Sequence, residues 1–375
     1  MPDNAIVQVL QKARALGASD VHIAANEPAG VRLHGRITRP WPEQKIFGDQ
    51  IRGFVSDTLD EETRVRLHND GAASASLDGD EQFGPVRVHA YQQLTGVTLA
   101  LRLLAMTIAE FTTLGLPKVL LDVAAQESGL ILTVGPTGSG KTTTQASLNQ
   151  WILNEFEKTL ITLEDPIEYR FRPGRGIVRQ SEVGPTGHFK SFPEGLRSIL
   201  RSDPDAVLVG ECRDTATMAA MLELAEGGRL VFTSVHARDA SNVFDRVIGA
   251  FPAEAQPQIR VQLAASITAV IVLRLLPRAD GAGRVPAAEI LVANDAIRGM
   301  VRDSDAVQIR NAIVTGRQFG MQTLESDLNR LLKDGVISED VARRASIRPN
   351  EIGAAAGSAT IFHREPATVR PMFGG

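Results

Sequence analysis

The sequence predicts an α/β protein: a mostly parallel sheet covered by helices on both faces, preceded by a smaller α+β region. Three observations lead there. First, LILTVG (130–135), TLITLE (159–164), AVLVGE (206–211) and RLVFTSV (229–235) are short apolar runs rich in β-branched residues. Strands buried on both faces read this way, and each run is separated from the next by a helical stretch or loop. Second, the first 105 residues show a helix followed by hairpin-like pairs of alternating strands. Third, the pattern changes across 105–117, which ends in Gly115, Leu116 and Pro117.

Taken in order, Ile6, Val7, Val9, Leu10, Ala13 and Leu16 have helical spacing, with Gly17 as the stop. DVHIAA (20–25) and GVRLHGRI (30–37) read as strands around a turn containing Pro28 and Gly30; 48–68 reads as a helix. PVRVHAY (85–91) and GVTLALRLL (96–104) read as two more strands. Residues 142–153 read as a helix, and 254–346 mainly as helices. Residues 352–375, small and proline-scattered, predict a mobile tail. The expected division is therefore 1–105, a linker at 106–117, 118–351 and the tail. There is no internal repeat or coiled-coil heptad.

Composition narrows the function. Of 375 residues, 43% are hydrophobic and 22% charged, as in ordinary globular chains. A net charge of -4 and only 5% aromatics argue against a nucleic-acid binder. Cys212 is the single cysteine, so no internal disulfide or paired-cysteine zinc site can form. The N-terminal stretch lacks the basic start and apolar run of a signal peptide. The most apolar run, Leu263–Leu273, is too short to span a bilayer and contains Ser266 and Thr268. A cytoplasmic chain follows, meeting a membrane only through partners.

Gly135, Pro136, Thr137, Gly138, Ser139, Gly140, Lys141 and Thr142, with Thr143 next, fit G-x-x-x-x-G-K-[ST] between a strand and a helix. The glycines let backbone N–H groups turn toward phosphates, and the helix N-terminus adds partial positive charge. Lys141 is placed to reach the β- and γ-phosphates of ATP, and the Thr142 hydroxyl to ligate Mg²⁺. Hydrolysis also needs carboxylates. Glu164, Asp165 and Glu168 follow one strand and Glu211 another, at the ends where parallel sheets hold ligands. Gly210 stands where Asp usually precedes Glu211. The metal is then left to Thr142, phosphates and water. His236 ends a further strand, as a γ-phosphate sensor, a carboxylate orienter or a hydrogen-bonded structural histidine. Arg197 and Arg201, four apart, share a helical face; Arg87 and Arg102 lie in the N-terminal strands. Each has the charge to stabilise a transition state or to sit on a solvated surface.

These motifs together resemble the secretion-superfamily ATPases, and the pilus-retraction (PilT) family in particular. GPTGSGKT resembles its Walker A, TLEDPIEY its Asp box, ILRSDPDAVLVGECRD its Walker B with Gly before Glu, and GRLVFTSVHARDA its histidine box. AIRGMV (296–301) and GMQTL (320–324) resemble two C-terminal segments. The resemblance implies a PAS-like N-domain, a RecA-like ATPase domain and a homohexameric ring with a platform protein at the inner membrane as partner. It implies catalytic Glu164 and Glu211, His236 at the nucleotide, and Arg87 and Arg102 reaching the phosphates. Arg229 replaces the histidine that usually opens the histidine box, and Gly299, Met300 and Val301 replace Asn-Leu-Ile. Pilus-assembly and type II secretion ATPases commonly carry a four-cysteine zinc insertion, which one cysteine excludes. A conjugation or effector-export ATPase, an accessory retraction motor and a RecA-like nucleic-acid translocase stand as alternatives.

Overall fold

Strand alternation and helix caps set the N-terminal part of the computed structural model, which describes residues 4–353 apart from 34, 78, 80–82, 185–186 and 213. Of the expected tail, 352–375, the part from 354 on lies outside the described residues; Ile352 is buried and Gly353 N–H donates to Asn329 Oδ1 at 2.9 Å, so these two are held in place. Asn4 caps the first helix, Ala5–Ala15, by accepting from Ile6 N–H at 2.9 Å, and the helix buries Ile6, Val7, Val9, Leu10 and Ala13. Strands β1 (Asp20–Ile23), β2 (Glu27–Pro28), β3 (Gly30–Leu33), β4 (Arg36–Thr38) and β5 (Lys45–Ile46) follow. The strand expected over 30–37 is thus broken, at a turn where Gly35 has φ 85°. The helix expected over 48–68 is two, Gly48–Thr58 and Glu61–Asp70, because Asp60 starts a new one by accepting from Thr63 N–H at 2.7 Å. Then come β6 (Ala72–Leu77), β7 (Val86–Gln93) and β8 (Gly96–Leu103). The sheet is antiparallel, in the order β4-β3-β1-β8-β7-β6. β6, AASASL, offers no β-branched or aromatic residue to mark it as a strand.

The second sheet has seven strands, β9 (Gly129–Val134), β10 (Thr159–Glu164), β11 (Ile177–Glu182), β12 (Ala206–Val209), β13 (Leu230–Val235), β14 (Ile267–Pro277) and β15 (Arg284–Val292), in the order β11-β10-β12-β13-β9-β14-β15. All neighbours are parallel except β14 and β15. β9, β12 and β13 are buried throughout, as continuous apolar runs require. Leu130, Leu132 and Val134 pack with Met221, Val243 and Leu263 on one face, while Ile131 packs with Leu148, Ile152 and Leu120 on the other. Phe111 and Leu116 also pack on that second face. The expected α/β architecture is present. One correction concerns 254–346, read mainly as helices: it also holds β14 and β15. ITAVIVLRLLP is apolar but for Thr268 and Arg274, and such a run has no periodicity to separate strand from buried helix. No helix among the described residues is long and apolar enough to cross a membrane.

Candidate nucleotide site

Because β9, β10, β12 and β13 are parallel, their carboxyl ends emerge at one edge. That edge gathers Gly135, Glu164, Glu211 and His236. The loop after β9 depends on its glycines: Gly135, Gly138 and Gly140 have φ of 151°, 76° and 97°. A Cβ on Gly135 would stand 2.5 Å from Ser139 Oγ and 2.7 Å from the Leu273 carbonyl. The helix Lys141–Glu155 begins at Gly140 without a side-chain cap, leaving its first N–H groups as free donors toward the loop. Ser139 Oγ is buried without a protein partner. Lys141 Nζ donates to the Gly135 and Pro136 carbonyls, each at 2.9 Å. Burial lowers its pKa, opposed by the charges of Glu211 and Glu168. Thr142 is partly exposed in the first helical turn, and Thr143 Oγ1 lies 2.8 Å from Tyr169 OH.

Glu164 is 4% exposed. It accepts from Thr162 Oγ1 at 2.7 Å and Gln180 Nε2 at 3.2 Å. Burial outweighs both hydrogen bonds and pushes its carboxyl up to about 7. Next to it, a Cβ on Gly210 would lie 3.3 Å from Glu164 Cα, close enough that the strand ends would have to give by a few tenths of an ångström. Glycine before Glu211 avoids that crowding. His236 joins the remaining groups: its Nε2 lies 2.9 Å from Glu211 Oε1 and its Nδ1 3.1 Å from the Gly135 carbonyl.

The structure brings these residues together but leaves the arginines elsewhere. Arg87 and Arg102 are cross-strand partners on the exposed face of the first sheet. Arg102 Nε pairs with Asp20 at 3.1 Å, and no described contact joins either arginine to the loop. Their row ends at Ser76, opposite Arg87, whose Oγ donates to Glu182 Oε1 at 3.0 Å. Arg197 and Arg201 do not share a helical face, because the helix Phe192–Ile199 ends before Arg201. Arg229 precedes β13, so it lies roughly 20 Å along the strand from His236.

The family is decided by comparison. A model for the type II/IV secretion system proteins matches residues 3–345. The chain belongs to this family. Among its secretion-family relatives is the type IV pilus retraction ATPase PilT of Pseudomonas aeruginosa, 36% identical over 349 residues, 92% of this chain and 98% of that one. A twitching motility protein of Neisseria gonorrhoeae is 35% identical over 84% of this chain and 83% of its own. A crystal structure of the pilus retraction motor PilT with bound ADP superposes with a TM-score of 0.85 at 37% identity, covering 92% and 98% of the two chains. Membership and likeness bear out the expectation of a secretion-superfamily P-loop ATPase.

Reading the sequence missed four residues around the family's site: Tyr169, Gln180, Arg274 and Glu289. Gln180 Nε2 also donates to the Tyr169 carbonyl at 2.9 Å, bracing the loop after Glu164. Its strand, IVRQSE, lacks an apolar run. Arg274 and Glu289 did leave a signal: Arg274 is the one charge in ITAVIVLRLLP, and Glu289 the one charge within the buried run 287–291.

Proposed function

We propose that the chain is an ATP-hydrolysing motor that powers type IV pilus retraction. The observation that carries the hydrolytic reading is the His236 bridge between Glu211 and the phosphate loop, beside buried Glu164. Retraction is supported by the likeness to the Pseudomonas ATPase along nearly the full length of both chains.

The residues present suit an ATP site. Glycine backbone and unsatisfied helix N–H groups form a cradle, and Lys141 supplies a charge that can turn from loop carbonyls to phosphate oxygens. Among the described residues no three His, Cys, Asp or Glu side chains are grouped to hold a metal by themselves. Mg²⁺ suits that pattern, since it is commonly held by substrate phosphates and few protein groups, here Thr142; when bound it neutralises phosphate charge. Glu211, held by His236, orients the attacking water. Glu164, poised near neutrality, takes its proton. Arg87 and Arg102 stabilise the transferring phosphoryl once the N-terminal sheet closes on the site.

The working unit is a homohexamer of two-domain chains (1–105 and 118–351, joined by 106–117) on the inner face of the cytoplasmic membrane, docked to a platform protein. Phosphate release, light scattering with an ATP analogue, and twitching of a deletion strain test this reading. Turnover, a mass near six chains and lost twitching are expected. A persistent monomer with full ATPase activity would overturn the ring, and normal twitching the retraction role.

A further inference from the structure

Glu289 on β15 is 3% exposed and takes no part in the chemistry described above. Its Oε1 accepts from Ala240 N–H at 2.8 Å, and its Oε2 from Leu324 N–H at 3.5 Å. Ala240 opens the helix Ala240–Gly249, four residues after His236; Leu324 opens the helix Leu324–Lys333. On the neighbouring strand, Val272 pairs with Glu289. Arg274, two residues on, therefore shares that face as a diagonal neighbour. Arg274 Nη2 donates to the Arg238 carbonyl at 2.8 Å and Nη1 to that of Leu273 at 3.0 Å. The Leu273 carbonyl is the one that crowds Gly135, so β14 abuts the phosphate loop here.

The segment 238–240 is thus gripped from both sides: a cation on one carbonyl and an anion on the N–H two residues later. Burial raises the pKa of Glu289 and lowers that of Arg274, so each charge is held against its desolvation. Placing two charges on a sheet face otherwise lined by Val270, Val272 and Leu132 is unfavourable unless they fix something in place.

We propose that Glu289, with Arg274, is a positioning residue for His236. By fixing 238–240 the pair holds the imidazole where it reaches both Glu211 and Gly135. The second oxygen extends the hold to the first turn of Leu324–Lys333, so displacement of the His236 loop is felt in the C-terminal helices. This rests on the reading that His236 and Glu211 serve hydrolysis.

The test is a double-mutant cycle in the full-length chain. Glu289→Gln keeps the shape but turns an amide group toward one of the two N–H donors. It is expected to lower kcat roughly tenfold to a hundredfold, with KM for ATP and affinity for ADP within about twofold. In a His236→Ala background the same substitution should have no further effect on kcat. Hydrogen exchange should rise at 238–242 and at 324–326. Unchanged kcat, an equal loss in the His236→Ala background, or a parallel loss of ADP affinity would each overturn the proposal. If His236→Ala itself leaves hydrolysis intact, the functional reading fails, and exchange at 238–242 alone then decides the clamp. Should Glu289→Gln not fold, Arg274→Lys carries the same cycle.

Discussion

His236 and Glu211 are 2.9 Å apart, and the other ring nitrogen of His236 faces the Gly135 carbonyl. Both nitrogens therefore face acceptors, and a neutral imidazole has a single donor to offer. The ring stands between the carboxylate and the phosphate loop, donating to one of them when neutral and to both only as the imidazolium. His236→Ala should lower kcat roughly tenfold to a hundredfold while sparing ADP affinity. Steady-state kinetics with fluorescent-ADP binding checks this, and an unchanged kcat would remove His236 from the machinery.

Lys141 and Glu211 should separate binding from turnover. Lys141→Ala removes the charge that meets phosphate and should weaken nucleotide binding by on the order of a hundredfold, about 3 kcal/mol. Glu211→Gln should bind ATP normally and lose about a hundredfold or more in kcat. Normal hydrolysis by purified Glu211→Gln would exclude the assigned role.

Glu164 makes stability and activity move oppositely with pH. In the folded chain it keeps its proton to about pH 7, whereas its ordinary value is 4.5. Its contribution to stability is full below the unfolded value and is lost as pH rises through the folded one, on the order of 3 kcal/mol. Stability should fall between about pH 4.5 and 7 and level off above, while the carboxylate proposed to accept the proton appears only around pH 7, at the upper end of that window. Wild-type activity should therefore climb around pH 7 where the stability loss is completed, and Glu164→Gln should flatten both curves. Denaturant melts and rate profiles from pH 5 to 8.5 would show it, and an unaltered stability slope in the variant counts against the shift.

Gly210→Ala places a methyl 3.3 Å from Glu164 Cα. The strand ends must shift by a few tenths of an ångström, at a cost of about 1 kcal/mol. Calorimetry should find a lower Tm, and phosphate release a lower kcat because Glu164 moves; a variant matching wild type in both would mean that the strand ends yield freely.

Arg298, in AIRGMV, donates to the Ala264 carbonyl at 2.9 Å and to that of Ala265, closing the last turn of Gln256–Ser266, while Ile297 and Val301 are buried. Arg298→Ala should destabilise by about 1–2 kcal/mol. If the segment also couples turnover to force, retraction in cells should vanish while ATPase activity persists at a temperature where the variant stays folded. Loss of both in parallel would leave only the structural role.

The parallel core was legible because strands buried on both faces have no choice of residue: LILTVG and RLVFTSV announce themselves. The phosphate loop was legible because its chemistry fixes spacing along the chain. What stayed hidden was fixed by space instead. Gln180 and Glu289 act through residues 16 and 49 positions away, Glu164 and Ala240, and no local pattern records that. β6 stayed hidden because small residues suffice for a strand whose partner supplies the bulk. The break at Asp60 was written in a cap, Asp-Glu-Glu-Thr, that apolar spacing alone passes over.

The position of β9 between β13 and β14 has a consequence for synthesis. The phosphate loop is encoded in the first half of the chain, yet one flank of its strand comes from residues 230–235 and the other from 267–277. A nascent chain that has emerged only to residue 250 carries the complete nucleotide motif on a strand whose second edge is bare. Such an edge invites pairing with other chains. Ribosome-bound fragments stopping short of residue 277 therefore carry the phosphate loop on a strand with one unpaired edge, and should be aggregation-prone until β14 is synthesised.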